Sequence, residues 1–120
     1  MKRTALSGHP GTGSRIAAKY LRRAVGRIVR RFRPEKIVLF GSHAYGEPGA
    51  GSDLDLLVVL RSTRHPFEQE SSVDVLLADR PVPMDILVRT PDELAEYRRT
   101  ADPFWLRILE EGKILYAARG

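Results

Sequence analysis

The chain has no cysteine among its 120 residues. Disulfides, thiol nucleophiles and thiolate metal sites are therefore excluded. That suits a reducing compartment, and a cytoplasmic protein is the expectation. No apolar run approaches the ~20 residues that a bilayer-spanning helix needs, so no transmembrane helix is expected. Acidic residues are missing from positions 1 to 34, where ten Lys and Arg give +10. The whole chain sums to +5 at neutral pH, which leaves −5 for the remainder. The basic character thus belongs to one segment and not to the whole domain.

What is present fits one domain with a modest core. Residues 1 to 13 are polar and hold Gly8, Pro10, Gly11 and Gly13, so they read as a flexible tail ahead of a domain spanning 14 to 120. The run Gly8 to Arg15 is not a phosphate-binding P-loop. It ends Gly-Ser-Arg in place of Gly-Lys-Ser/Thr, and no strand precedes it. From Ser14, a candidate N-cap, apolar residues recur at helical spacing through Phe32, with arginines between them. That spacing predicts a helix ending before Pro34, because proline disfavours helical geometry in the residue before it. The arginines form either a solvated face or a docking face for an acidic partner or RNA, with Arg22, Arg23 and Arg27 as its centre.

Lys36 to Phe40 and Leu54 to Leu60 read as strands, the second apolar enough to be covered on both faces. A helix is expected from Ser71 or Ser72 to Asp79, after a polar connection over 61 to 70. A third strand follows at Met84 to Val88. Thr90-Pro91-Asp92-Glu93 opens a helix as a capping box, and Asp102-Pro103 opens another. Gly112 ends that helix, and Lys113 to Tyr116 suggests a last short strand. The fold class is α/β (α+β), a small mixed sheet flanked by helices.

The chemistry concentrates in residues 41 to 60. Gly41-Ser42 turns the chain straight after a strand. Asp53 and Asp55 stand two apart at the mouth of the next strand, on one face by strand alternation. Paired carboxylates beside backbone N–H groups suit a divalent cation and phosphate. Asp85 is the lone acid of the apolar stretch Met84 to Val88, a position that costs free energy unless the charge is paired or metal-bound. Asp74 competes for that role but sits in a helical pattern that puts it at the surface. His9, His43 and His65 are isolated in sequence, and His43 reads as an ordinary surface histidine.

Gly-Ser followed about a dozen residues later by Asp-x-Asp resembles the signature of the DNA polymerase β-like nucleotidyltransferases, in their minimal nucleotidyltransferase (MNT) branch. The resemblance implies a polymerase β-like fold for 14 to 120 and transfer of AMP from ATP to a hydroxyl with Mg²⁺. By it, Gly41 and Ser42 hold the nucleotide, and Asp53, Asp55 and Asp85 serve as metal ligands and catalytic carboxylates. Tyr45 departs from the family, many members of which carry Arg there. Standalone MNT proteins are similar to the antitoxins of HEPN–MNT toxin–antitoxin pairs, which implies a HEPN-type protein partner and an oligomeric complex. A non-catalytic binding module and an RNA-modifying transferase are the alternatives.

Overall fold

The structure, a computed structural model, describes residues 12–46, 53–61 and 65–119, with backbone alone for 12–17, 66 and 67. The expected flexible tail lies outside the described residues up to position 11, as does the loop 47–52. The chain runs α1 (Thr12–Phe32), β1 (Lys36–Phe40), α2 (Ser42–Tyr45), β2 (Leu54–Val59), α3 (Pro66–Leu76), β3 (Met84–Arg89), α4 (Pro91–Arg99), α5 (Pro103–Glu111) and β4 (Lys113–Ala117). The four strands form one mixed sheet in the order β3-β2-β1-β4. β1 is antiparallel to both β2 and β4, whereas β2 and β3 are parallel and joined through α3.

Strand alternation sorts the sheet's side chains onto two faces. Ile37, Leu39, Leu54, Leu56, Val58, Ile86 and Val88 point to one face and pack under α1 and α3, which contribute Tyr20, Leu21, Ala24, Ile28, Val73 and Leu77. Val38, Phe40, Leu57 and Val59 point to the other, where Trp105 and Ile108 of α5 and Leu94 and Tyr97 of α4 cover them. β2 is therefore buried on both sides, as its apolar run requires. Its one polar residue, Asp55, belongs to the α5 face.

Local chemistry explains the element ends. α1 stops where Arg33 takes a left-handed φ of 51° ahead of the buried Pro34. Its start at Thr12 precedes the expected cap at Ser14. α4 has the capping box: Thr90 Oγ1 accepts from the Glu93 N–H at 3.1 Å, and Glu93 Oε1 accepts from the Thr90 N–H at 2.8 Å. Asp102 caps α5 by accepting from the N–H groups of Phe104 and Trp105. α3 differs from expectation, because it starts at Pro66 and not at Ser71 or Ser72. Proline at the first helical position is preset for a helix start, and that signal outranks the serines. Ser72 instead bonds back within the helix to the Glu68 carbonyl at 3.1 Å.

One arginine of α1 has an internal role. Arg27 donates to Asp79 at 2.9 and 3.2 Å and to the Leu76 carbonyl at 2.8 Å, tying α1 to the C-terminal end of α3. Asp79 also accepts from the Tyr20 hydroxyl at 3.3 Å. The grouping of Arg27 with Arg22 and Arg23 as one free docking face is thereby corrected. Replacing Arg27 with Ala should lower the melting temperature measurably, while Arg22→Ala at an exposed site leaves it unchanged. Equal melting curves for the two variants would contradict the clamp.

Candidate active site

The site forms at the sheet end where β1 finishes and β2 and β3 begin. The register places Asp55 opposite Phe40 on one side and opposite Asp85 on the other. Paired residues on adjacent strands point the same way, so both carboxylates rise on the α5 face. The two carboxyl groups are close enough for the charge of Asp85 to raise the pKa of Asp55. Gly41 follows Phe40 and turns over them with φ 78° and ψ −163°, a region open essentially to glycine alone. A Cβ there would sit 2.1 Å from Asp55 Oδ2, so glycine is also the only residue with room. The Gly41 carbonyl accepts from the Ala44 and Tyr45 N–H groups at 2.9 Å each, which winds α2 directly off the turn.

A cavity of about 790 Å³ opens beside these residues. Gly41, Asp55 and Asp85 line one side. Pro103, Phe104, Arg107 and Ile108 of α5 line another, with Phe40, Tyr45 and Leu87 completing the wall. Asp53 precedes β2, is exposed, and is not among the residues that line the cavity. Among the described residues no three His, Cys, Asp or Glu side chains are gathered in a metal-holding arrangement. The carboxylates brought together are Asp55 and Asp85.

Residues 21–115 match the nucleotidyltransferase domain family. The chain belongs to that family. A crystal structure from Sulfolobus solfataricus, of a protein described provisionally as a nucleotidyltransferase, is similar over 92% of both chains with a TM-score of 0.64. Its sequence is 18% identical, so the likeness concerns the fold. No curated protein matches the chain.

Within this nucleotidyltransferase domain, Asp55 carries the electrostatic load. Desolvation raises its pKa from the ordinary 3.8 to about 6, with the charges of Asp85 and Asp53 adding to the rise. The charge of His43 opposes it. His43 is buried behind the Gly41 turn, which corrects its reading as a surface histidine. Asp85 also departs from its expected setting. β3 is an edge strand and Asp85 is exposed, so the desolvation cost assigned to it falls on Asp55. Asp74 is exposed and pairs with Arg80 at 2.9 Å, outside the site. Arg107 was not identifiable from the sequence, since nothing in the α5 pattern marks it apart from other surface arginines.

The pH dependence follows from Asp55. The folded chain binds its proton more tightly than the unfolded chain does. The associated stability is therefore full below about pH 4 and lost as pH rises through about 6. Without added cations, Asp55→Asn should be more stable than the parent at pH 7, by on the order of 1 kcal/mol after discounting for solvent screening. The advantage should vanish at pH 4. Denaturant titrations at both pH values test this, and an unchanged difference between them would refute the crowding of Asp55.

Proposed function

We propose that the domain transfers AMP from ATP to a hydroxyl group, using Mg²⁺, and that the acceptor is a protein hydroxyl. The observation that carries this reading is the Asp55–Asp85 pair under Gly41, at the mouth of a cavity large enough for a nucleotide. The donor set fits Mg²⁺, which favours oxygen ligands and is commonly held by one or two carboxylates plus phosphate. Asp55 is destabilised as an anion by burial first and by the charges of Asp85 and Asp53 second, and a cation would relieve that cost. Asp55 and Asp85 would hold the ion, with Asp53 as a third ligand although the structure does not gather it with them. When bound, the ion withdraws charge from the phosphate chain and orients the attacking and leaving oxygens.

The chain's own residues divide the remaining work. Gly41 and Ser42 receive the phosphate chain at the turn, where glycine lets the backbone come close. Asp85, the exposed member of the pair, accepts the proton of the incoming hydroxyl. A bond forms from the hydroxyl oxygen to the α-phosphorus, the bond to the β-phosphate oxygen breaks, and pyrophosphate leaves. α5 shields the cavity from one side.

The acceptor is assigned from the resemblance to MNT antitoxins, so a HEPN-type partner carrying the modified hydroxyl is part of the proposal. Charge supports a docking role for α1. Arg22, Arg23 and Arg30 are exposed around a shallow cavity of about 450 Å³ on the helix. The same arginines favour, as a second reading, RNA as the acceptor.

α-Labelled ATP, Mg²⁺ and lysate of the native host separate these outcomes. Label on a co-purifying protein supports the proposal, and label on RNA replaces it with the second reading. No label, with a partner bound all the same, would leave a contact inhibitor in its place. Asp85→Asn should retain Mg²⁺–ATP binding yet lose about 10²–10⁴-fold in transfer, and near-normal transfer would remove Asp85 from the mechanism.

A further inference from the structure

The cavity beside Asp55 is electrostatically lopsided. Its polar wall presents carboxylates, which repel a phosphate chain unless a cation intervenes. Among the described residues lining it, Arg107 is the only Lys or Arg. Arg107 stands on α5, across from the strand ends, with its guanidinium carbon 4.0 Å from the centre of the Tyr45 ring. Stacking on a ring face fixes the guanidinium plane while leaving its N–H edges open to an acceptor. Tyr45 is fixed in turn. It ends α2, its N–H donates to the Gly41 carbonyl at 2.9 Å, and its ring packs among buried residues of both cores. The cation is thus anchored to the same turn that roofs the carboxylate pair.

We propose that Arg107, held by Tyr45, binds the terminal phosphates of the nucleotide and makes the cavity selective for triphosphates over monophosphates. The inference rests on the nucleotide-transfer reading of this cavity. Arg107 is available for the task. Its present partner, Glu111, lies 3.2 Å away, one helical turn on, and both side chains are more than half exposed. Such exposed pairs contribute little and are screened by salt, whereas a forked, charge-assisted bond to phosphate is among the strongest a side chain makes. Tyr45 acts as a positioning residue. Its ring supplies the surface for the guanidinium.

Calorimetric binding of ATP and of AMP, in Mg²⁺ and in chelator, tests the assignment on the full chain. Arg107→Ala should weaken ATP binding about 10- to 100-fold and AMP binding by less than about threefold. Arg107→Lys should recover only part of the loss, since it restores the charge without the planar fork. Tyr45→Phe keeps the ring under Arg107 and should keep the parent's ATP-to-AMP selectivity. Tyr45→Leu should lose selectivity, and combining it with Arg107→Ala should add nothing further. Both Arg107 variants alter an exposed position, so they keep the test valid if Tyr45→Leu fails to fold. An unchanged ATP-to-AMP ratio in Arg107→Ala would overturn the inference and leave the nucleotide reading standing. A parent protein that binds no ATP would overturn both.

Discussion

Two carboxylates on neighbouring strands repel each other, and this fold holds them together all the same. β2 and β3 are parallel and in register, so Asp55 and Asp85 have no freedom to separate along the sheet. β1 closes the other side through Phe40, and Gly41 seats its backbone where any Cβ would strike the Asp55 carboxylate. A pair of like charges, one of them partly buried, is a cost that packing elsewhere must offset. Here the two apolar layers do so: α1 and α3 cover one face of the sheet, and α4 and α5 cover the other.

This arrangement separates chemistry from charge display. The carboxylates and the cavity lie on the α5 face. The basic helix α1 lies across the opposite face, with Arg27 tied inward to Asp79 and Leu76 and its neighbours Arg22 and Arg23 left exposed. A partner drawn to α1 would leave the cavity mouth open to a hydroxyl. The α4–α5 layer is itself pinned to the edge strand. Arg89 donates to Glu70 at 2.8 Å and to the Tyr97 hydroxyl at 3.0 Å, beneath the stacked Tyr97 and Trp105 rings. Glu70 also accepts the Val88 N–H, which covers part of the exposed edge of β3.

Much of this was legible in the sequence, for local reasons. Strands β1, β2 and β3 are short apolar runs between turn residues, and the caps of α4 and α5 are set by Thr90, Glu93 and Asp102, whose side chains bond nearby backbone. Gly41 was legible because its neighbours define a turn after a strand. Its closeness to Asp55 depends on antiparallel register, which no local pattern states. α3 starts ahead of Ser71 and Ser72 because Pro66 is the stronger local start signal. Asp85 stands out as an acid among apolar residues, and Pro81 and Pro83 ahead of it allow the edge position that the strand order gives. The places of His43 and Arg107, like the closeness of Gly41 to Asp55, are hidden from local pattern. One is buried by the turn's geometry, and the other reaches the site from a helix more than fifty residues after Asp53.

The account's central claim is that burial, together with the charges of Asp85 and Asp53, holds the Asp55 anion at a cost that a bound cation relieves. Carbon-13 NMR of the aspartate carboxyl groups, titrated with and without Mg²⁺ and a non-hydrolysable ATP analogue, measures this at the atom concerned. The account predicts that Asp55 titrates near pH 6 in the free protein and well below its ordinary range once ion and nucleotide are bound. An Asp55 that titrates near pH 4 in the free protein, or that is unmoved by the ion and nucleotide, would contradict it.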